Sequence, residues 1–390
     1  MPLLDGLTVV EMASVITGPS AGAILADLGA RVIKVEPPGG DPFRSWEASG
    51  GRIRSSFAAF NRGKESIVLN VKDPQAQDLY VELVRGADVV IENYRPGRMD
   101  KLGLGWTRLR EVRPSLVYCH ITGRGSVGPD AEQPTYDAVA QAVSGLWSQF
   151  SDLSAPEPVG PPMADQLTAI YASVAILAAV REAATTGAGQ RVEVDMLSAA
   201  MAFSAQGVAA ATWTGVVATA GSRARNSQSY ALIAGDGLPL AVHLSTPHKF
   251  WTGLCRVIDR DDLVEDPRFL TKADRIAHYD ELRAVLGEAF GSRTREHWLA
   301  ALVAADVPAA PILDLAEAIA SPQVRAKQLV AEDGEGSARG LVRSPIVVDG
   351  RHCEAALPPP ELGSHTDHVL AALGVDAATV LSLRSSGAVA

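Results

Sequence analysis

The chain has 390 residues, of which 47 % are hydrophobic and 21 % charged. That apolar content excludes disorder as the dominant state and is enough for more than one core, so two or three domains are expected. With 35 Lys and Arg against 45 Asp and Glu the net charge is −10, which argues against a nucleic-acid or anionic-membrane binder.

Met1-Pro2-Leu3-Leu4-Asp5 carries no basic stretch ahead of an apolar run, so no signal peptide is expected. Residues 7–13 form a short apolar run. Small and apolar residues recur at helical spacing over 18–29, and Arg31–Glu36 reads as a strand closed by Pro37-Pro38-Gly39-Gly40. Such a strand–helix–strand unit packs as parallel strands with a right-handed crossover. Further strands are predicted at 66–71, 88–92 and 115–122, with helices at 74–85 and 108–112. The alternation argues for a doubly wound α/β sheet.

The middle of the chain differs. Its most apolar stretch, 167–180, is shorter than the ~20 residues that span a bilayer and reads as part of a buried helix over 165–184. Gly187-Ala188-Gly189 ends that helix. A strand over 191–196 and a helix over 198–213 follow. Residues 218–229, with Arg223, Arg225 and Asn226, read as a loop or linker. A hairpin comes next, with strands at 230–234 and 238–244 around Gly235-Asp236-Gly237. Helices at 248–258, 279–289 and 294–304 complete a second, smaller domain over about 225–325. The tail, with a strand at 341–348 and a helix at 365–373, is α/β again.

Several motifs fail on inspection. Gly123-Arg124-Gly125-Ser126-Val127-Gly128 follows a strand, but Pro129-Asp130 stands where a pyrophosphate-binding helix should begin. The loop after the first strand lacks that glycine fingerprint, so no nicotinamide or flavin is expected. Gly63-Lys64-Glu65 lacks the upstream glycine and the Ser or Thr of a P-loop. His352-Cys353 and the pair His365 and His368 lack any further ligand pattern, and no metal site is predicted. No GxSxG elbow precedes the long helix. Cys119, Cys255 and Cys353 form no CxxC pair, which fits a reducing cytoplasm.

Two features remain. Residues 1–110 carry 14 Lys and Arg against 13 Asp and Glu, so the whole net negative charge lies beyond them. Arg95, Arg98 and Lys101 cluster after a predicted strand, where doubly wound folds bind ligands; a phosphate-bearing ligand and a plain solvated face both fit. The second feature is Asp165, after Pro161-Pro162-Met163-Ala164 and at the start of the long helix. It reads as an N-cap. A helix N-terminus also favours an ionised, nucleophilic carboxylate, and its free N–H groups are suited to an oxyanion.

Taken in order, the residues resemble class III coenzyme A transferases, the relatives of formyl-CoA transferase and carnitine CoA-transferase. The resemblance rests on Gly18-Pro19 with Leu25 to Glu36, Asn61-Arg62-Gly63-Lys64, Leu69-Asn70-Val71-Lys72, Glu92 to Gly97, Tyr136 to Gln141, Gly187 to Gln190, and Leu362-Gly363-Ser364-His365-Thr366. It covers nearly the whole chain. It implies a Rossmann-like large domain built from both chain ends, a smaller α+β domain, and two subunits interlocked as a homodimer. Residues 1–217 would begin the large domain, 218–325 would be linker and small domain, and 326–390 would return to the large one.

The resemblance also implies an acyl-CoA:carboxylate CoA-transferase in the cytoplasm, with coenzyme A thioesters and a small free carboxylic acid as substrates and no tightly bound cofactor. Asp165 would be the catalytic nucleophile. The coenzyme A contacts carried over are Val15 and Ile16, then Leu69, Asn70, Val71 and Lys72, then Asn93, Tyr94, Arg95 and Lys101, and finally Tyr136 and Asp137. There are departures. Ala164 stands where a Gly usually precedes the catalytic Asp, Ile16 replaces a Gln typical of formyl-CoA transferase, and that enzyme's Gly-rich substrate loop is absent. The related α-methylacyl-CoA racemases exchange a proton through a His, but Tyr136 occupies that position here, so racemase is the runner-up. A non-catalytic acyl-CoA-binding homologue is the third alternative.

Overall fold

Short β-branched runs with one helix between successive pairs assemble into a single parallel sheet. Its strands are β1 (Thr8–Met12), β2 (Arg31–Glu36), β3 (Lys64–Val68), β4 (Val89–Glu92), β5 (Val117–Thr122) and β6 (Arg191–Asp195), in the order 3-2-1-4-5-6. The computed structural model describes residues 2–46, 54–158, 160–331, 340–355 and 357–390. It forms two compact units: 1–147 with 158–206 and 325–390, and 148–157 with 207–324. The boundaries expected from the sequence are 217/218 and 325/326.

The first unit holds the sheet and the helices α1 (Thr17–Asp27), α2 (Ser55–Asn61), α3 (Pro74–Arg85), α4 (Arg98–Lys101), α5 (Trp106–Val112), α6 (Asp137–Val143), α7 (Met163–Thr186) and α8 (Met196–Phe203). Strand side chains alternate between the faces. Val10, Ile33, Ile67, Val90 and Tyr118 pack with α3, α5 and two C-terminal helices, Thr366–Ala372 and Ala377–Ser386. Val9, Val32, Val89, Val117 and Ile121 pack with α1 and α7 on the opposite face. Both faces of the central strands are buried, which is why these strands read as mainly apolar runs.

Charged residues interrupt those runs, and three of them meet in one place. Glu11, Lys34 and Lys64 are fully buried on the α1 face. Glu11 takes Lys34 Nζ at 3.0 Å and Lys64 Nζ at 2.7 Å on its two oxygens, and Lys34 also meets Asp41 at 2.9 Å. Helix α1 lies directly on this cluster: Pro19 O accepts from Lys64 Nζ at 2.8 Å, and a Cβ at Gly22 would sit 2.0 Å from Glu11 Oε2. Only glycine permits that approach. Burial depresses the Lys64 ammonium to about 8 despite Glu11, whereas Glu11, Asp41 and Glu36 together outweigh burial at Lys34 and hold it above its ordinary value.

Helix α7 is long and apolar enough to cross a membrane by length and composition, longer than the 167–180 stretch suggests. Its buried stripe, Ala169, Ala172, Ile176, Ala179 and Ala183, is nevertheless core of the first unit. The second unit pairs β7 (Ser229–Ile233), β8 (Pro239–His243) and β9 (Ala309–Pro311) into an antiparallel sheet around Tyr230, Leu240, Trp251, Phe269 and Phe290.

Four expectations need correction. The strand over 341–348 shrinks to Val347–Val348 paired with Arg351–His352 around Asp349-Gly350, because Pro345 has no N–H for a ladder. The helix over 198–213 is two helices, α8 and Ala205–Thr214, broken at Ser204. The 218–229 linker contains a helix at Ser222–Ser227, set off by left-handed Gly221 and Gln228. The long helix starts at Met163, with Pro162 as N-cap, so Asp165 lies inside its first turn instead of capping it.

Candidate active site

The loops after β1, β4 and β5 meet where the strand order reverses, beside the starts of α7 and α8. There they enclose a cavity of about 210 Å³. An open parallel sheet binds ligands at such a switch point because neighbouring loops turn to opposite faces and leave a crevice. Of the residues singled out in the sequence, Val15, Ile16, Asn93, Tyr94, Arg95, Tyr136 and Asp165 line it. Ser14, Thr17, Thr122, Thr135 and Met196 line it too and were missed; Ser14, Thr122 and Met196 stand within two residues of a strand end, Thr135 lies in a loop and Thr17 opens α1, which was the available signal.

Asn93 ties two of the loops together. Its Nδ2 donates to Ser14 O at 2.8 Å and Thr17 Oγ1 at 3.0 Å, while its Oδ1 accepts from the Ser14 N–H at 3.0 Å. The next residue, Val15, has φ of +69°, a left-handed conformation that a β-branched residue adopts only at a cost of about 1–3 kcal/mol. Tyr94 N–H donates to Glu92 Oε2 at 2.8 Å; the other Glu92 oxygen takes Tyr118 Oη at 3.0 Å and meets His120 Nδ1. The 123–128 glycines hold no helix end. A Cβ at Gly123 would lie 2.3 Å from that of Thr135, so this glycine lets the loop fold back on itself beside the cavity.

Asp165 is 7 % exposed, and no hydrogen bond to its carboxyl is present among the described residues. Burial, followed by the nearby Asp137 carboxylate, raises its pKa to about 7. The helix end therefore does not lower the Asp165 pKa as expected; burial and the like charge outweigh it. Besides this burial, Asp137 already uses the helix end: its Oδ1 accepts from the N–H groups of Ala164 at 2.8 Å and Asp165 at 3.2 Å, and its Oδ2 from Gln141 Nε2 at 2.6 Å. Asp137 does not line the cavity. An Asp137→Asn variant keeps an acceptor oxygen there but loses the charge. The Asp165 midpoint, followed by carboxyl infrared or NMR titration, is then expected to drop below about 7 without returning to 3.8, since burial is the larger cause.

The remaining predicted residues lie elsewhere. Leu69 is 1 % exposed in the core beneath α3, Val71 packs against the same core, and Asn70 binds the chain's end through Ala388 O at 2.9 Å. Lys72 and Lys101 are exposed and outside the cavity lining. Arg95 is the one basic and Asp165 the one acidic side chain among the lining residues. Arg95, Arg98 and Lys101 are exposed, and no ion pair of theirs is present among the described residues.

The chain as a whole is similar to known proteins. The chain matches the family described as CoA-transferase family III over residues 4–366. It is 36 % identical over 334 residues to the acetyl-CoA:oxalate CoA-transferase of Acetobacter aceti, covering 85 % of this chain and 86 % of that one. It is 36 % identical over 392 residues to the succinate–glutarate CoA-transferase of Agrobacterium fabrum, covering 95 % and 96 %. A crystal structure of a CaiB/BaiF family protein from Brucella suis superposes with a TM-score of 0.84 at 33 % identity, covering 95 % of this chain and 99 % of that one. With a match this long, the chain belongs to CoA-transferase family III.

Proposed function

We propose that this transferase moves coenzyme A from an acyl-CoA donor to a free carboxylic acid through covalent intermediates on Asp165. The observation that carries the reading is the Asp165 carboxyl, buried against the cavity and free of hydrogen-bond partners among the described residues. An Asp165 oxygen attacks the thioester carbonyl carbon, the C–S bond breaks, and a mixed anhydride forms with release of the CoA thiolate. The thiolate attacks the Asp165 carbonyl carbon, expelling the donor as its carboxylate and leaving an aspartyl-CoA thioester. The acceptor carboxylate displaces the thiolate to form a second anhydride. Attack of the thiolate on the acceptor's acyl carbon then gives the product thioester and frees Asp165. Only a side chain that itself bears an acyl carbon can pass through both states.

In this reading Val15, Ile16, Asn93, Tyr94 and Arg95 hold the coenzyme A chain along the cavity, with Tyr136 and Asp137 near the thiol end. Lys72, Lys101 and Arg98 offer free cations to its phosphates beyond the cavity mouth, and Leu69, Asn70 and Val71 shape the sheet edge beside them. The 3-2-1-4-5-6 strand order supports a Rossmann-like large domain. The proposal includes an interlocked homodimer, which the outward apolar side of α7 supports: Ile170, Tyr171 and Val174 are exposed. It also includes a cytoplasmic location, in keeping with three unpaired cysteines.

A single assay tests the activity. One labelled acyl-CoA is incubated with a panel of free mono- and dicarboxylic acids, and label is expected in a new thioester with one acid or a few. Label passing to no acid, together with tight CoA binding, would leave a binding protein instead. A carboxyl titrating near 7 is also suited to proton transfer, which favours the racemase as second reading. That reading predicts solvent deuterium at Cα of a 2-methylacyl-CoA, and the transferase predicts none.

A further inference from the structure

Lys34 lies outside the cavity, yet it grips the turn that forms one of its walls. We propose that Lys34 is a positioning residue, whose buried ammonium holds the turn Ala13–Val15 in the left-handed shape that presents Val15 and Ile16 to the ligand. Its Nζ donates to Ala13 O at 2.8 Å and meets Asp41 Oδ2 at 2.9 Å. The other Asp41 oxygen accepts from the Val15 N–H at 3.3 Å and from the Phe43 N–H at 2.9 Å. Lys34 thus holds one end of the turn directly and the other through Asp41. Asn93 holds Ser14 from the opposite side.

The turn needs holding because valine disfavours φ of +69°. The charge is not explained by stability alone. Desolvating a lysine and its partners costs about as much as their attraction returns, and an apolar side chain of similar volume often serves a core equally well. What an apolar side chain does not supply is a polar contact to the Ala13 carbonyl and a counter-ion for the Asp41 carboxylate that holds the Val15 N–H. Glu11, the third partner of Lys34 at 3.0 Å, keeps Lys64 as a second counter-ion, so the cluster as a whole does not depend on Lys34.

The inference rests on the reading of the cavity as a coenzyme A site. Coenzyme A binding is measured by calorimetry on the full chain as wild type, Lys34→Met, Val15→Gly and the double variant. Lys34→Met is expected to weaken binding about tenfold, the scale of the strain it leaves unheld. Adding Val15→Gly is expected to bring the affinity back to within about threefold of Val15→Gly alone, because glycine takes positive φ unaided. A lysine that merely supports the fold gives a loss that glycine does not relieve. Folded Lys34→Met with wild-type affinity, or a loss unrelieved by Val15→Gly, overturns the proposal. If Lys34→Met does not fold, Asp41→Ala replaces it, removing the acceptor for the Val15 N–H while Lys34 keeps Glu11; the same loss and rescue are expected, and their absence overturns the proposal equally. A wild type that binds no coenzyme A rejects the ligand reading and the inference with it. A wild type that binds, alongside a variant that binds as well, rejects the inference alone.

Discussion

An Asp165→Asn variant is expected to lose CoA transfer by on the order of 10⁴-fold or more, because an amide neither attacks a thioester nor becomes an anhydride. The fold should survive. The side chain keeps its volume, and the helix end is satisfied by Asp137, whose contacts are to the backbone N–H groups of Ala164 and Asp165. Wild-type enzyme incubated with an acyl-CoA and then with hydroxylamine or borohydride should carry its modification on the peptide containing Asp165. The variant should carry none. A fully active variant, with that peptide unmodified in the wild type, would remove Asp165 from the chemistry.

The same carboxyl should make stability and reactivity respond to pH in opposite directions. Its folded pKa of about 7 lies above the ordinary 3.8, so between these values the folded chain holds a proton that the unfolded chain has released. Stability contributed by this group therefore falls as pH rises through that window and is level above it. Asp165→Asn, which cannot ionise, should match wild type near pH 4 and exceed it by up to about 4 kcal/mol above pH 7, at 1.36 kcal/mol per unit. Urea unfolding of both proteins at fixed concentration across pH 4–8 reads the difference. Acylation of Asp165 by a fixed acyl-CoA should rise over the upper part of the range, since only the ionised form is a nucleophile. A stability difference that shrinks with rising pH would mean that the carboxyl is not buried as the free protein folds.

Much of the first unit is legible in the residues alone. Strands buried on both faces are mainly apolar, and β1, β2, β4 and β5 stand out for that reason. The long helix shows itself by length and by Gly187 at its end, which adopts φ of +73°. The tail is less legible, because a two-residue hairpin over 347–352 is too short for periodicity to register.

Asp165 is visible in the sequence as a carboxylate at a helix start, and chain order alone points to it. Its state is not. Local reasoning assigns it the helix end, but Asp137, 28 residues upstream, occupies those N–H groups and adds a like charge. Leu69 and Val71 show the same limit from the other side: a motif marks a segment, while alternation across a strand edge decides which of its residues face the core.

The sequence by itself determined most of the strands and helices and the family pattern, and it singled out Asp165 as the candidate nucleophile. The tertiary structure decided which charges share an interior. Glu11, Lys34, Asp41 and Lys64 are scattered over more than fifty positions, and nothing in their spacing shows that they meet under α1. Hydrophobic periodicity is a property of neighbours along the chain and can be read there. Desolvation and Coulomb interaction depend on distance through space, which exists only once the chain has folded.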